Sequence, residues 1–167
     1  MKPLQRPHSR PAHRVRGVML LALLLLLMLG SIAAMGAVEV WATTRQREQE
    51  QELLFAGSQY RQAIRHYYFS SPAGQPRALP AKLEDLLIDN RFALPVRHLR
   101  RLYPDPITSG PEWGLVLQGD RIAGVYSLSE AQPLKQTGFN AAESGFEAKA
   151  SYRDWIFRFT PPRVTRK

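Results

Sequence analysis

Side chains able to do chemistry are present in this chain, but their spacing builds no reaction centre. The four histidines, His8, His13, His66 and His98, show no HExxH or comparable ligand spacing, so they do not set out the fixed donor geometry that zinc needs. Ser58, Ser109 and Ser144 each have one adjacent glycine, but none sits in the strand–turn–helix context that sharpens a nucleophilic serine. Gly-rich phosphate loops are missing. Glu84 and Asp85 open a predicted helix, where capping accounts for paired acids without catalysis. Asp105, Asp120 and Asp154 could gather round a calcium ion, which takes six to eight oxygens, yet turn and loop roles account for each. With no cysteine, disulfides, thiolate metal sites and cysteine nucleophiles are excluded. The expectation is a non-enzymatic protein with no cofactor and no metal.

Charge is unevenly placed. Lys and Arg number 23 against 14 Asp and Glu, a formal +9 over 167 residues. Lys2, Arg6, Arg10, Arg14 and Arg16 precede Gly17 with no acid among them. A basic flank of this kind beside an apolar run predicts a cytoplasmic N-terminus, so the high pI reports topology more than nucleic-acid binding. The clusters Arg97, His98, Arg100, Arg101 and Arg163, Arg166, Lys167 read as solvated surface. Nucleic acid is not an expected partner.

The element that positions everything else is the run Val18 to Val38, which carries no charge and holds eight leucines between Leu20 and Leu29. As a helix it would rise roughly 32 Å, enough for a hydrocarbon core of roughly 30 Å. It reads as a membrane anchor or as the apolar part of a secretion signal, with inner-membrane lipid as its partner. Gly30, Ala33, Ala34 and Ala37 recur at helical spacing and would let another helix approach closely, although small residues are also simply common in membrane helices. No Pro or Gly interrupts Val38 to Ala56. Leu53, Ala56, Tyr60, Ala63, Ile64 and Tyr67 then form an amphipathic stripe that stops at the breakers Ser70 to Gly74. One helix from Val18 to about Phe69 is therefore expected, apolar in its first half and amphipathic in its second.

Beyond it, Pro80 to Leu87 predicts a short helix and Pro95 to Arg101 another turn, while Tyr103-Pro104-Asp105-Pro106 must be extended. Strands are expected at Trp113–Leu117 and Ile122–Leu128 around a turn at Gly119-Asp120, and a last one at Tyr152–Phe159 before Pro161-Pro162. Trp113, Trp155, Phe157 and Phe159 should form the core face of the sheet.

Arg16-Gly17 before an apolar run, a helix that continues into an amphipathic half, and a small sheet after it resemble the type IV pilin-like proteins, specifically the pseudopilins of type II secretion systems. The segments Glu52-Leu53-Leu54-Phe55, Tyr60-Arg61-Gln62-Ala63-Ile64, Leu83-Glu84-Asp85-Leu86-Leu87, Leu99 to Pro106, Glu112 to Val116, Gly124 to Ser129 and Pro133-Leu134-Lys135 carry the closer likeness. The resemblance implies a leader cut by prepilin peptidase after Gly17, Val18 as the mature N-terminus, and assembly with other pseudopilins by helix packing. Two positions depart from the family pattern: Val18 stands where Phe or Met is usual, and Ala22 where the family carries Glu. The second fits a tip or accessory subunit better than the main repeating one.

The chain thus reads as α+β and pilin-like, its long N-terminal helix packed on an antiparallel sheet of three to four strands. Its expected parts are a basic cytoplasmic leader at 1–17, a transmembrane helix at 18–41, an amphipathic continuation at 42–71, a small periplasmic domain at 72–162 and a basic tail at 163–167. The residues expected to matter are Gly17 and Val18 for cleavage, Gly30, Ala33, Ala34 and Ala37 for helix packing, and Leu53, Tyr60, Ile64, Tyr67, Trp113 and Trp155 for the helix–sheet core. The competing reading is a periplasmic accessory or binding protein, anchored or secreted, that never enters a fibre.

Overall fold

A computed structural model describes residues 13–162, with side-chain surroundings for all of these except 13–16 and 32–40. The fold is α+β. Helix α1 spans His13–Phe69, and a three-stranded antiparallel sheet follows in the order β1 (Gly114–Gln118), β2 (Arg121–Tyr126), β3 (Phe157–Arg158). The described chain divides between Thr44 and Arg45 into two compact units.

In the first unit, the side chains from Val18 to Leu29 stand in the open all round the helix; the large ones are between 52% and 71% exposed. The membrane expectation requires correction here. Among the described residues, no helix is long and apolar enough to cross a membrane. The apolar run with described surroundings, 18–31, rises only about 21 Å, short of a hydrocarbon core of roughly 30 Å. This finding overturns the single-pass inner-membrane placement, with its cytoplasmic N-terminus, its transmembrane helix at 18–41 and its periplasmic domain.

In the second unit, α1 supplies one wall of the core. Gln46, Glu50, Leu53, Gly57, Tyr60, Ile64 and Tyr67 recur at alternating steps of four and three, which keeps them on one helical face. From Leu53 onward this face packs on the sheet's Ile122, Val125 and Phe157 and on Trp113 and Trp155, all within a single buried cluster. Gly57 is required by this packing, since a Cβ there would lie 2.3 Å from the Phe157 ring. The helix ends at Phe69, where Ser70 to Gly74 break the pattern.

The β1–β2 hairpin turns at Gly119, whose φ of 66° is the left-handed backbone that glycine adopts without strain. Strand β2 stops at Tyr126, before the expected Leu128, because Ser127 turns inward to donate a hydrogen bond to Asp105. The last strand is shorter than expected. Tyr152–Asp154 forms a 3-10 turn instead, since the Tyr152 and Arg153 amides donate to Ala131 and Ser129 carbonyls and Asp154 accepts from Ser151. The predicted helix at Pro80–Leu87 contracts to the 3-10 turn Leu83–Leu86. The Pro80 carbonyl accepts from the Ile122 amide, and the Leu86 carbonyl from those of His98 and Leu99, so neither carbonyl can continue a helix. The turn predicted at Pro95–Arg101 is not helical, because Val96 bridges to Asp89 instead.

Candidate functional site

Two surfaces can be built from the residues upward: the exposed apolar run of α1 in the first unit, and the helix–sheet seam of the second. Val18 is 69% exposed, and a Cβ built on Gly30 meets nothing within 4 Å. Gly17 lies within the backbone of α1. The surroundings of Ala33, Ala34 and Ala37 lie outside the described residues, as do positions 1–12 of the expected 1–17 leader and the expected tail at 163–167.

The seam brings Leu53, Tyr60, Ile64, Tyr67, Trp113 and Trp155 into one cluster, each buried. Aromatic rings set its geometry. Tyr60 meets Trp113 edge-on at 5.3 Å, and Trp155 stacks on Phe146 at 5.6 Å. Tyr60 also works as a polar pin: its hydroxyl accepts from the Tyr103 amide and donates to the Tyr103 carbonyl, both at 2.9 Å. The Trp113 indole donates to that same carbonyl at 2.8 Å. Burial pushes the Tyr60 phenol up to about 12, so it stays a neutral donor through physiological pH. The extended Tyr103–Pro106 segment is thus tied to α1 by a buried hydroxyl.

Four carboxylates are buried among the described residues: Glu143 pairs with Arg61 of α1 at 3.4 Å, and Glu50, Asp105 and Asp89 complete the scaffold. Glu50 accepts from the amides of Leu134 and Lys135 at 2.6 and 3.2 Å and from the Tyr152 hydroxyl at 2.9 Å. Gln46 donates to that hydroxyl from one turn earlier. Burial, with donation to Glu50 adding to it, pushes Tyr152 up to about 12. Asp105 accepts from Ser127 Oγ at 2.7 Å and from the Ile107 amide, locking the proline loop to the end of β2. Asp89 is fully buried and takes three contacts of 2.7 to 3.1 Å from the Arg91 guanidinium, with His98 Nε2 at 3.0 Å. Burial alone would raise its pKa, but the hydrogen bonds from Arg91 and His98 prevail and hold the carboxyl at about 2. Arg91 spans the junction: it lies 3.6 Å over the Tyr67 ring and donates to the Tyr67 carbonyl, one of the groups left open at the end of a helix.

Glu50 and Asp89 hold loops to the helix, and Asp105 holds the proline loop to β2. Asp105 also lines a surface cavity of about 390 Å³ with Arg45, Glu48 and Glu52, and Glu50 one of about 310 Å³ with Arg47 and Lys135. Of the three aspartates that could have shared a cation, Asp105 is buried against Ser127, Asp120 is exposed at the hairpin turn and Asp154 caps a turn. Among the described residues, no group of His, Asp or Glu is arranged to hold a metal ion.

Sequence reasoning missed the burial of Glu50, which lies in a charged stretch that reads as solvated, and of Asp89, and it gave Asp105 only a loop role. For Glu50 a signal existed: it lies three residues before Leu53 on the same stripe, so the helical phase puts it inside.

Fold and seam together define an α+β domain whose sheet is stapled to a long helix by aromatic packing and buried carboxylates. No family model, no curated protein and no solved structure matches the chain.

Proposed function

We propose that this protein is a pseudopilin-like structural subunit, possessing no catalytic role, that assembles with copies of itself or with other pilin-like subunits of a type II secretion or type IV pilus machine. The observation that carries the reading is the double use of α1. The residues Val18 to Leu29 offer an unpaired apolar surface on every side, and from Leu53 onward the same helix becomes the spine of a folded domain. Exposed apolar surface on this scale marks an interaction site. Neighbouring helices lying side by side would cover it.

The first test is the intact mass of the chain from native cells with and without prepilin peptidase. Loss of residues 1–17 that depends on the peptidase, with Val18 as the new N-terminus, is expected. A full-length chain in both strains would remove the protein from the pilin pathway and leave an accessory protein.

The assembly step has its own test. Gly30 has open space where a side chain would stand, so Gly30→Leu should leave the fold intact and raise intrinsic helix propensity by about 1 kcal/mol. Because interaxial distance depends on side-chain size at the contact, association should nevertheless weaken about tenfold, roughly 1.4 kcal/mol. Sedimentation of the two chains side by side reads this; unchanged association would exclude close approach at Gly30.

A further inference from the structure

We propose that Leu94 of one copy seats in the groove beside Phe55 and Tyr103 of a second copy, an inference that rests on reading the chain as a self-assembling subunit. Leu94 is 80% exposed, the most exposed large apolar side chain among the described residues. Its loop is nevertheless built rigidly. The Asp89–Val96 bridge closes the loop, and the Arg91 and His98 contacts to Asp89 lock its base. A loop ordered in advance loses little entropy on binding, so its apolar tip is suited to insertion.

The receiving groove is about 280 Å³, near the space of about nine waters, and so has room for a branched aliphatic side chain. Phe55, 55% exposed, meets Tyr103 edge-on at 5.7 Å to form its apolar wall, and Pro104 and Pro106 close the far side. Charge favours the same pairing. Arg97 and Arg100 flank the loop, and Glu52 lines the groove with Glu48 one turn away; all four are exposed and make no ion pair among the described residues. Arg101, at the groove's other end, is turned over the Tyr103 ring at 5.1 Å.

The loop is anchored at Tyr67 and Ser71, and the groove lies along Glu52 to Ala56, about a dozen residues or roughly 18 Å earlier on α1. Tip and groove being different surfaces, the contact is head-to-tail and propagates from copy to copy. One inserted side chain buries far less than the roughly 1,000 Å² a stable interface needs, so the contact reinforces helix packing and does not dimerise the domain alone.

The absence of native cysteine gives a clean test. Chains carrying Leu94→Cys and Glu52→Cys are mixed under assembling conditions and treated with a short bismaleimide. A covalent mixed dimer is expected that neither chain forms alone, and that Asp120→Cys in place of Glu52→Cys does not form. Leu94→Asp should weaken association about tenfold with an unchanged circular dichroism spectrum. Chains that sediment as assemblies but give no mixed dimer, or one equally well with Asp120→Cys, overturn this contact alone. Chains that stay monomeric overturn the subunit reading and this contact with it.

Discussion

Asp89→Ala should cost the domain about 3–5 kcal/mol, the largest loss expected of any single substitution described here. Removing the carboxylate leaves the Arg91 guanidinium, 17% exposed, and the His98 ring, 3% exposed, buried without their partner. The damage spreads beyond one ion pair, because Arg91 also satisfies the Tyr67 carbonyl and Ser71 at the end of α1. Chemical denaturation should therefore show a lower midpoint with little change in slope. The same carboxyl makes stability acid-sensitive. Its folded pKa of about 2 lies below the ordinary 3.8, so its contribution is complete above about pH 4 and is lost as pH falls through about 2. That difference corresponds to about 2 kcal/mol. Asp89→Asn, which keeps part of the hydrogen bonding, should lose less at neutral pH and flatten the acid limb between pH 4 and 2. An acid limb as steep as in the parent chain would show that other carboxylates dominate it.

Gly57→Ala should destabilise the domain by about 2–3 kcal/mol, although alanine is the better helix former by about 1 kcal/mol. The added Cβ would stand 2.3 Å from the Phe157 ring. That ring is fully buried and held edge-on to Phe146 at 5.0 Å, so it has no free rotamer into which to retreat. Relief has to come from moving α1 away from β3, which opens the core on both sides. A fall in Tm of roughly 10 °C is expected. Combining Gly57→Ala with Phe157→Leu should recover part of the loss relative to the two single substitutions added together, because the smaller side chain makes room. A Gly57→Ala chain as stable as the parent would mean that the helix and sheet are not packed at this distance.

These two residues also separate what local pattern reveals from what it hides. The stripe Leu53, Tyr60, Ile64, Tyr67 is legible in the chain because burial of one face imposes a period of 3.6 on apolar residues, and the hairpin because Gly119 marks a turn between two apolar runs. Breakers marked the end of α1 at Phe69 for the same local reason. The 3-10 turn at Leu83–Leu86 and the short β3 were misjudged because distant groups decided them: the Ile122 amide takes the Pro80 carbonyl, and Ala131 and Ser129 hold the backbone of Tyr152 and Arg153. Asp89, Arg91 and His98 lie close in sequence, yet nothing in their order announces a buried ion cluster. The Asp89–Val96 bridge, the packing of Arg91 and His98 on Tyr67 and the Arg91 hydrogen bond to Ser71 bring them out of water. The residues of this chain by themselves determined the long helix, its apolar start, its amphipathic continuation and the hairpin, since each follows from local periodicity or from a turn residue. Tertiary structure alone decided which charges are buried, where Gly57 must stay bare, and which apolar surfaces remain open to a partner. Burial is a property of chain segments meeting across long sequence separations, and that is where those decisions are made.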